Sequence, residues 1–271
     1  MTVEQVLQLL ESQIAPIKVS DDLCAKYRMY DNSGIIINCG KQIEGALFSL
    51  DLSEEAVRMA IEGGHNLIVT HHPAIYGGIS RFDLTRDAHA RALAACIKHD
   101  ISVISMHLNF DAAPEGIDYH LMKGLGGVDD AAKEPLQDIE YLETVDGGNY
   151  GRVYEIRAIG GEALLKSVSE IFSTENILVH GKINGKVRKV ASFCGAGCND
   201  RAVDFAKRNG ADVFVCSDMS HHHIAELVES GIAVIQLTHY AAEAYGFNKI
   251  YDKISGKLQV PSKYFFDVRF A

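Results

Sequence analysis

Three short stretches combine imidazole and carboxylate groups at spacings suited to holding a metal ion. The first is Thr70-His71-His72-Pro73. Successive residues of a strand face opposite sides, so adjacent histidines share a site only where the strand gives way to a turn. Pro73 supports such a break, since it holds His72 extended and cannot continue a ladder. The second is His107-Leu-Asn-Phe-Asp111, where Asp111 is a candidate ligand and His107 either a ligand or a group that orients one. The third is His239-Tyr-Ala-Ala-Glu243. At i and i+4 of a helix, imidazole and carboxylate lie on one face and can reach one ion together. This is not the His-Glu-x-x-His helix of zinc proteases. Each stretch also has a plain structural reading: a buried histidine, an aspartate in an ordinary turn, a His–Glu pair on a helix surface.

Together they say more than singly. The imidazoles of His71, His72 and His239 and the carboxylates of Asp111 and Glu243 all sit at ends of expected strands. Five ligands exceed what one tetrahedral zinc takes and are few for two separate ions. The economical arrangement is a dinuclear site with the ions roughly 3.5–4 Å apart, bridged by a carboxylate and a water or hydroxide. Mixed nitrogen and oxygen ligation suits Zn, Mn, Fe, Co or Ni and does not choose among them. Two divalent ions against two carboxylates leave the pocket net positive, a site for an anionic group such as a phosphate or phosphoester.

The elements that must position these groups follow from hydrophobic period. Short Val- and Ile-rich runs alternate with longer stretches at helical period, the pattern of an α/β fold. Strands are expected at 35–38, 46–51, 67–70, 102–106, 153–158, 177–180, 190–194, 213–216 and 234–237. Helices are expected at 53–62, 87–98, 116–125, 161–172, 200–209, 223–229 and 240–248. Three segments share a weak internal likeness, a Gly and a spacer before a four-residue strand with a polar end: Gly64–His72, Gly210–Asp218 and Gly231–His239. Ligands bind at the carboxyl ends of strands in open α/β sheets. Seven of the 12 histidines (71, 72, 107, 221, 222, 223 and 239) fall at or just past such ends. The loop-like stretch 126–149 is the expected lobe boundary.

Composition narrows the rest. The 271 residues are 47% hydrophobic and 23% charged, with a formal net charge of −10. That is ordinary globular composition, with length for one large domain or two lobes. The acidic balance disfavours a general nucleic-acid surface. The local basic stretch Lys182–Lys189 reads as a solvated hairpin. No apolar run approaches the ~18–20 residues of a spanning helix. The opening residues lack the pattern of a signal peptide, so a cytoplasmic protein with no membrane partner is expected. The six cysteines match no standard zinc knuckle and read as reduced and structural. Gly195-Ala-Gly197 lacks the full dinucleotide fingerprint.

The motifs resemble the GTP cyclohydrolase type 2 homologues, also called Nif-three-like proteins. The likeness begins at Tyr30-Asp-Asn-Ser-Gly34 and continues through Thr70–Pro73 and His107–Asp111 with Gly116. It ends at the Gly-rich Cys194–Gly197 and at His239–Glu243. It implies His71, His72, Asp111, His239 and Glu243 as ligands of two divalent ions. It also implies two interlocked α/β lobes of similar three-layer topology, 1–125 and 126–271, with the metal site between them. A ring-shaped homohexamer follows, and the ferredoxin-like insertion of some members is expected to be absent near 126–149. Leu108 departs from the threonine typical of the family beside the middle histidine. His222 and His223, near a family histidine that lines the cavity, are candidates with His107 for substrate contact or proton transfer. The implied activity is metal-dependent hydrolysis of a nucleotide or phosphorylated small molecule. The alternative is a non-catalytic metal-binding, metal-delivering or partner-binding ring.

Overall fold

The computed structural model describes residues 1–126 and 139–271. Its first elements are α1 (Val3–Gln13), α2 (Ile17–Tyr27), β1 (Gly34–Ile37), β2 (Ala46–Ser49), α3 (Glu54–Glu62), β3 (Leu67–Thr70), α4 (Ala88–Lys98), β4 (Ser102–Ser105) and α5 (Leu108–Ala112). There follow α6 (Ile117–Leu125), β5 (Glu140–Val145), β6 (Gly148–Gly160), α7 (Gly161–Phe172), β7 (Leu178–His180) and β8 (Lys186–Ser192). The last are α8 (Asp200–Arg208), β9 (Val213–Cys216), α9 (His221–Glu229), β10 (Ala233–Gln236), α10 (His239–Ser255) and β11 (Ser262–Phe265). The fold is mixed α/β, as the alternating pattern predicts, with two sheets among the described residues.

Two compact units result, each built from separate stretches of chain. Unit 1 comprises Met1–Pro114, Val145–Gly148 and Phe247–Asp267; unit 2 comprises Glu115–Thr144, Asn149–Gly246 and Val268–Ala271. Part of the stretch expected as a loopy boundary, 127–138, lies outside the described residues. In the remainder strand replaces the expected loop, since Glu140–Val145 forms β5 and Gly148 opens β6. Only one of its six positions, Glu143, is buried, so β5 lacks the apolar run that marks a buried strand.

In unit 1 the strand order is β1-β4-β3-β2-β11. All neighbours pair in parallel except β1, which runs antiparallel to β4. The central strand Leu67-Ile-Val-Thr70 is buried at every position, as a parallel strand covered on both faces must be. Leu47, Ile68 and Val103 pack with Val57 and Ala60 of α3 and Leu93 and Cys96 of α4. Helix starts are locally encoded. Ser53 accepts from the Ala56 amide with Glu54 and Glu55 in the first turn, and Asp87 accepts from the His89 and Ala90 amides. Register then sets the site, since Ser49, Thr70 and Ser105 pair side by side. The three strands therefore end level, and Asp51, His71–His72 and Met106–His107 follow along one sheet edge.

Unit 2 has the order β5-β6-β8-β9-β10-β7. Strands β8, β9 and β10 are parallel, and Cys216 pairs with Gln236 while Ser192 pairs with Val215. Their carboxyl ends bring Cys194–Gly195, Asp218 and His239 to one edge of this second sheet. The expected hairpin at 182–189 does not form. Strand β7 pairs antiparallel with β10, while β8 pairs with β6 and β9. The stretch remains solvent-facing at Lys182, Lys186 and Arg188. Helix α10 runs to Ser255, well past the expected end at 248, and α1, α2 and β11 add to the elements legible in the sequence.

Candidate metal centre

The His71–His72 turn is held from several sides. Both backbone amides donate to the Leu50 carbonyl, at 3.2 and 3.0 Å. The Thr70 hydroxyl donates to the His72 carbonyl at 2.8 Å and meets the Ser105 hydroxyl at 2.8 Å. Ser105 Oγ in turn accepts from the Ala74 amide at 2.9 Å. The break at Pro73 thus puts both rings on the same side of the sheet edge, with centroids 4.9 Å apart. The His107 ring lies 5.2 Å from His71 and 5.9 Å from His72, centroid to centroid. Asp111 follows on α5, whose first turn is set by Phe110 and Asp111 amides donating to the His107 carbonyl.

Every one of these rings has its Nδ1 engaged by an oxygen acceptor. His71 Nδ1 bonds the Met106 carbonyl at 2.9 Å, so it carries the proton. His72 Nδ1 meets Asp51 Oδ1 at 2.7 Å, and His107 Nδ1 meets Asp31 Oδ1 at 2.9 Å. The lone pair of each neutral ring is then on Nε2, the atom a metal takes. His71 Nε2 faces Asp111 Oδ1 at 3.4 Å, with both residues buried (0% and 4% exposed). A lone pair facing a carboxylate oxygen in a buried setting is favourable only with a cation between or beside them, a proton or a metal ion. The donor set therefore fits a metal. His71, His107 and Asp111 each offer a ligand atom within 4.8 Å of the others. Burial alone would raise the Asp31 carboxyl, but hydrogen bonds from the His107 ring and the Ser33 and Ser20 hydroxyls hold it below the ordinary value.

Unit 2 repeats the pattern. Thr238 caps α10, its hydroxyl accepting from the Ala241 amide at 3.0 Å. Helical spacing brings His239 Nε2 to 3.1 Å from Glu243 Oε2, while His239 Nδ1 meets Asp218 Oδ2 at 2.7 Å. Glu243 is 1% exposed. Gly195, at φ +58°, is the close neighbour that makes room: a Cβ there would overlap Glu243 Oε1. The Gly-rich turn thus serves side-chain clearance. Nor is a cysteine nucleophile set up beside it. Burial pushes the Cys198 thiol up to about 12 and the Cys216 thiol still higher, so both stay protonated. Cys24, Cys39, Cys96, Cys198 and Cys216 are free thiols.

The histidine triplet forms the first turn of α9 after Ser220. His223 Nε2 meets Asp200 Oδ1 at 2.8 Å, and its Nδ1 meets the Ser220 hydroxyl at 2.8 Å. His222 lies against it, ring centroids 4.1 Å apart, and with Asp200 the pair forms another group of closely spaced donors.

The structure therefore gathers His71, His72, His107 and Asp111 in unit 1, and His239 with Glu243 in unit 2. Sequence reasoning assigned no role to the acceptors that orient them: Asp51, Asp31, Asp218 and the Met106 carbonyl. Their common signal is position, since Asp51, Met106 and Asp218 all follow parallel strands at the edge where ligands gather.

Comparison with known proteins agrees with this architecture. The family model described as Duf34/NIF3 (NGG1p interacting factor 3) matches residues 1–270. A Clostridium perfringens protein named GTP cyclohydrolase 1 type 2 homolog is 26% identical over 260 residues, covering 95% of this chain and 93% of that protein. The Saccharomyces cerevisiae NGG1-interacting factor 3 is 27% identical over 248 residues, covering 86% of this chain and 84% of that one. The structure of reduced HcgD from Methanocaldococcus jannaschii superposes with a TM-score of 0.77 at 23% identity, covering 98% of each chain. With a family model spanning nearly every residue and the same fold in a solved relative, this chain belongs to the DUF34/NIF3 family.

Proposed function

We propose that the protein binds two divalent metal ions and acts as a metal-dependent hydrolase of a nucleotide or another phosphorylated small molecule. The observation that carries this reading is the common orientation of the imidazoles. In His71, His72 and His239 an oxygen acceptor takes Nδ1, and in His71 and His239 a carboxylate faces Nε2. The reading joins His71, His72 and Asp111 with His239 and Glu243 as one ligand set, supported by the order of the three motifs along a chain of this family.

Bound ions would supply Lewis acidity and a water acidified toward a pKa of ~7. The chain's own residues do the rest. Asp51, Asp218 and the Met106 carbonyl keep each imidazole in one tautomer and one ring orientation. His107, held through Nδ1 by Asp31, presents Nε2 as a group able to take or return a proton. His222 and His223 are further candidates for substrate contact or proton transfer. The bacterial relative's name carries a GTP cyclohydrolase; the reading adopted here is the broader class of anionic, phosphorylated substrates. The same reading expects a homohexamer, which light scattering on the purified chain would test.

The decisive experiment is elemental analysis of native protein together with an anomalous-scattering map. Two peaks per chain at the five ligands, and hydrolysis within a panel of GTP and phosphoesters, are the expected results. A single peak elsewhere sinks the dinuclear site. Metal uptake without any hydrolysis sinks catalysis. That second outcome would favour a metal-binding or partner-binding protein, and the yeast relative is itself named an interacting factor.

A further inference from the structure

A buried ion pair in unit 2 has no part in the ligand set, yet its hydrogen bonds lead toward it. Asp118 and Arg152 are 0% and 2% exposed, and Arg152 Nε donates to Asp118 Oδ2 at 2.6 Å. The guanidinium also lies over the Tyr141 ring, 4.9 Å from its centroid. A charge pair this deep is a poor source of stability, because desolvation offsets most of the attraction. Its value lies in what else the carboxylate holds. Asp118 accepts from the Gly151 amide at 3.2 Å and, through Oδ1, from the Cys194 amide at 3.4 Å.

The other side of that peptide is held as well. The Tyr150 hydroxyl donates to the Cys194 carbonyl at 2.6 Å. One residue on, the Gly195 carbonyl accepts from the Cys216 thiol at 3.5 Å and from the Asp218 amide at 3.4 Å. This turn is the wall against which the Glu243 carboxylate rests, with no room for even a Cβ at Gly195. Asp218 also accepts a hydrogen bond from His239 Nδ1 at 2.7 Å. A shift of the 194–195 backbone therefore moves the Glu243 wall and the amide of the residue that orients His239.

We propose that Tyr150 and Asp118 are positioning residues for the His239–Glu243 ligand pair, acting through the Cys194–Gly195 turn. Tyr150 holds the turn by its carbonyl, and Asp118, paired with Arg152 in the interior, holds it by its amide. This rests on the reading of His239 and Glu243 as metal ligands. Loss of an oxygen acceptor behind a ligand weakens metal binding 10–100-fold in general, and a displaced ligand wall is expected to act in the same range.

The test uses the full chain stripped of metal and titrated with Zn²⁺ against a competing chelator, with Co²⁺ absorption as a second readout. The Tyr150→Phe variant keeps the ring and removes only the hydroxyl. Tyr154→Phe, in the same strand and also buried, is the control for losing a buried hydroxyl that makes no bond to the Cys194 carbonyl. The expected result is Zn²⁺ affinity 10–100-fold weaker in Tyr150→Phe, with altered Co²⁺ ligand-field bands. Tyr154→Phe should match wild type in both, and Asp118→Asn should shift the bands in the same sense as Tyr150→Phe. Wild-type affinity and spectrum in Tyr150→Phe, while His239→Ala loses Zn²⁺, overturns the positioning role and leaves the metal reading standing. A wild-type chain that takes up neither ion overturns both.

Discussion

His71 Nε2 stands 3.4 Å from Asp111 Oδ1 while His71 Nδ1 bonds the Met106 carbonyl at 2.9 Å. The carbonyl, an obligate acceptor, decides the tautomer and leaves the ring's lone pair aimed at an anionic oxygen. Removing the ring removes both the donor atom and the reason for the carboxylate to be buried there. His71→Ala is expected to lose bound metal by elemental analysis while circular dichroism stays that of the folded chain. Full metal content in this variant would exclude His71 as a ligand.

Asp51 makes a gentler probe. Its Oδ1 sits 2.7 Å from His72 Nδ1, and its side chain is partly exposed, so Asp51→Asn should leave the fold intact. Loss of the charge behind the imidazole lowers its basicity toward a metal, and a 10–100-fold fall in metal affinity is expected. Competition with a chelator measures it.

Gly195→Ala strikes at two levels. The backbone there is left-handed at φ +58°, and the added methyl would overlap Glu243 Oε1. A stability loss of about 1–3 kcal/mol is expected from the strained conformation. Metal content should fall with it as Glu243 is pushed aside. Urea unfolding followed by elemental analysis separates the two effects, and an unchanged metal content would show that Glu243 can yield.

Glu143 should make stability depend on pH in a particular sense. Burial raises its carboxyl above the ordinary value, against the opposing pull of Arg201, whose guanidinium donates to it at 3.0 Å. A folded pKa above the unfolded one means that the folded state binds the extra proton between the two values. Stability from this group is therefore lost as pH rises through that window, and ionised Glu143 costs stability at neutral pH. Glu143→Gln is expected to gain stability relative to wild type between pH 4 and 7 in parallel melts. A difference that does not change with pH would exclude the effect.

In the core of unit 1, Phe48 is fully buried, its ring 6.2 Å from Phe247 and 5.2 Å from Tyr251. Phe48→Ala should cost about 3–5 kcal/mol by chemical denaturation. A smaller cost would mean that the α10 rings collapse into the space.

Strand limits at Leu67–Thr70 and Val213–Cys216, and the helix Gly161–Phe172, were legible from hydrophobic period and Gly punctuation. So were the turn after Thr70, announced by Pro73, and the one-face pairing of His239 with Glu243, which any helix at that spacing provides. These are local properties of the chain, settled by backbone preference over a few residues. Strand β5, only partly buried and without an apolar run, was not legible, and although a strand was expected at 177–180, its pairing with β10 rather than with β8 was not. Sheet order is a choice among distant partners that no short window contains.

The same division runs through the site. Sequence alone determined which residues could bind a metal and that they would stand at strand ends. Only tertiary structure decided how each ring is turned, because Asp31, Asp51, Met106 and Asp218 reach their histidines across neighbouring strands and loops. An imidazole has two nitrogens, and the acceptor that takes one proton fixes which lone pair is left for chemistry.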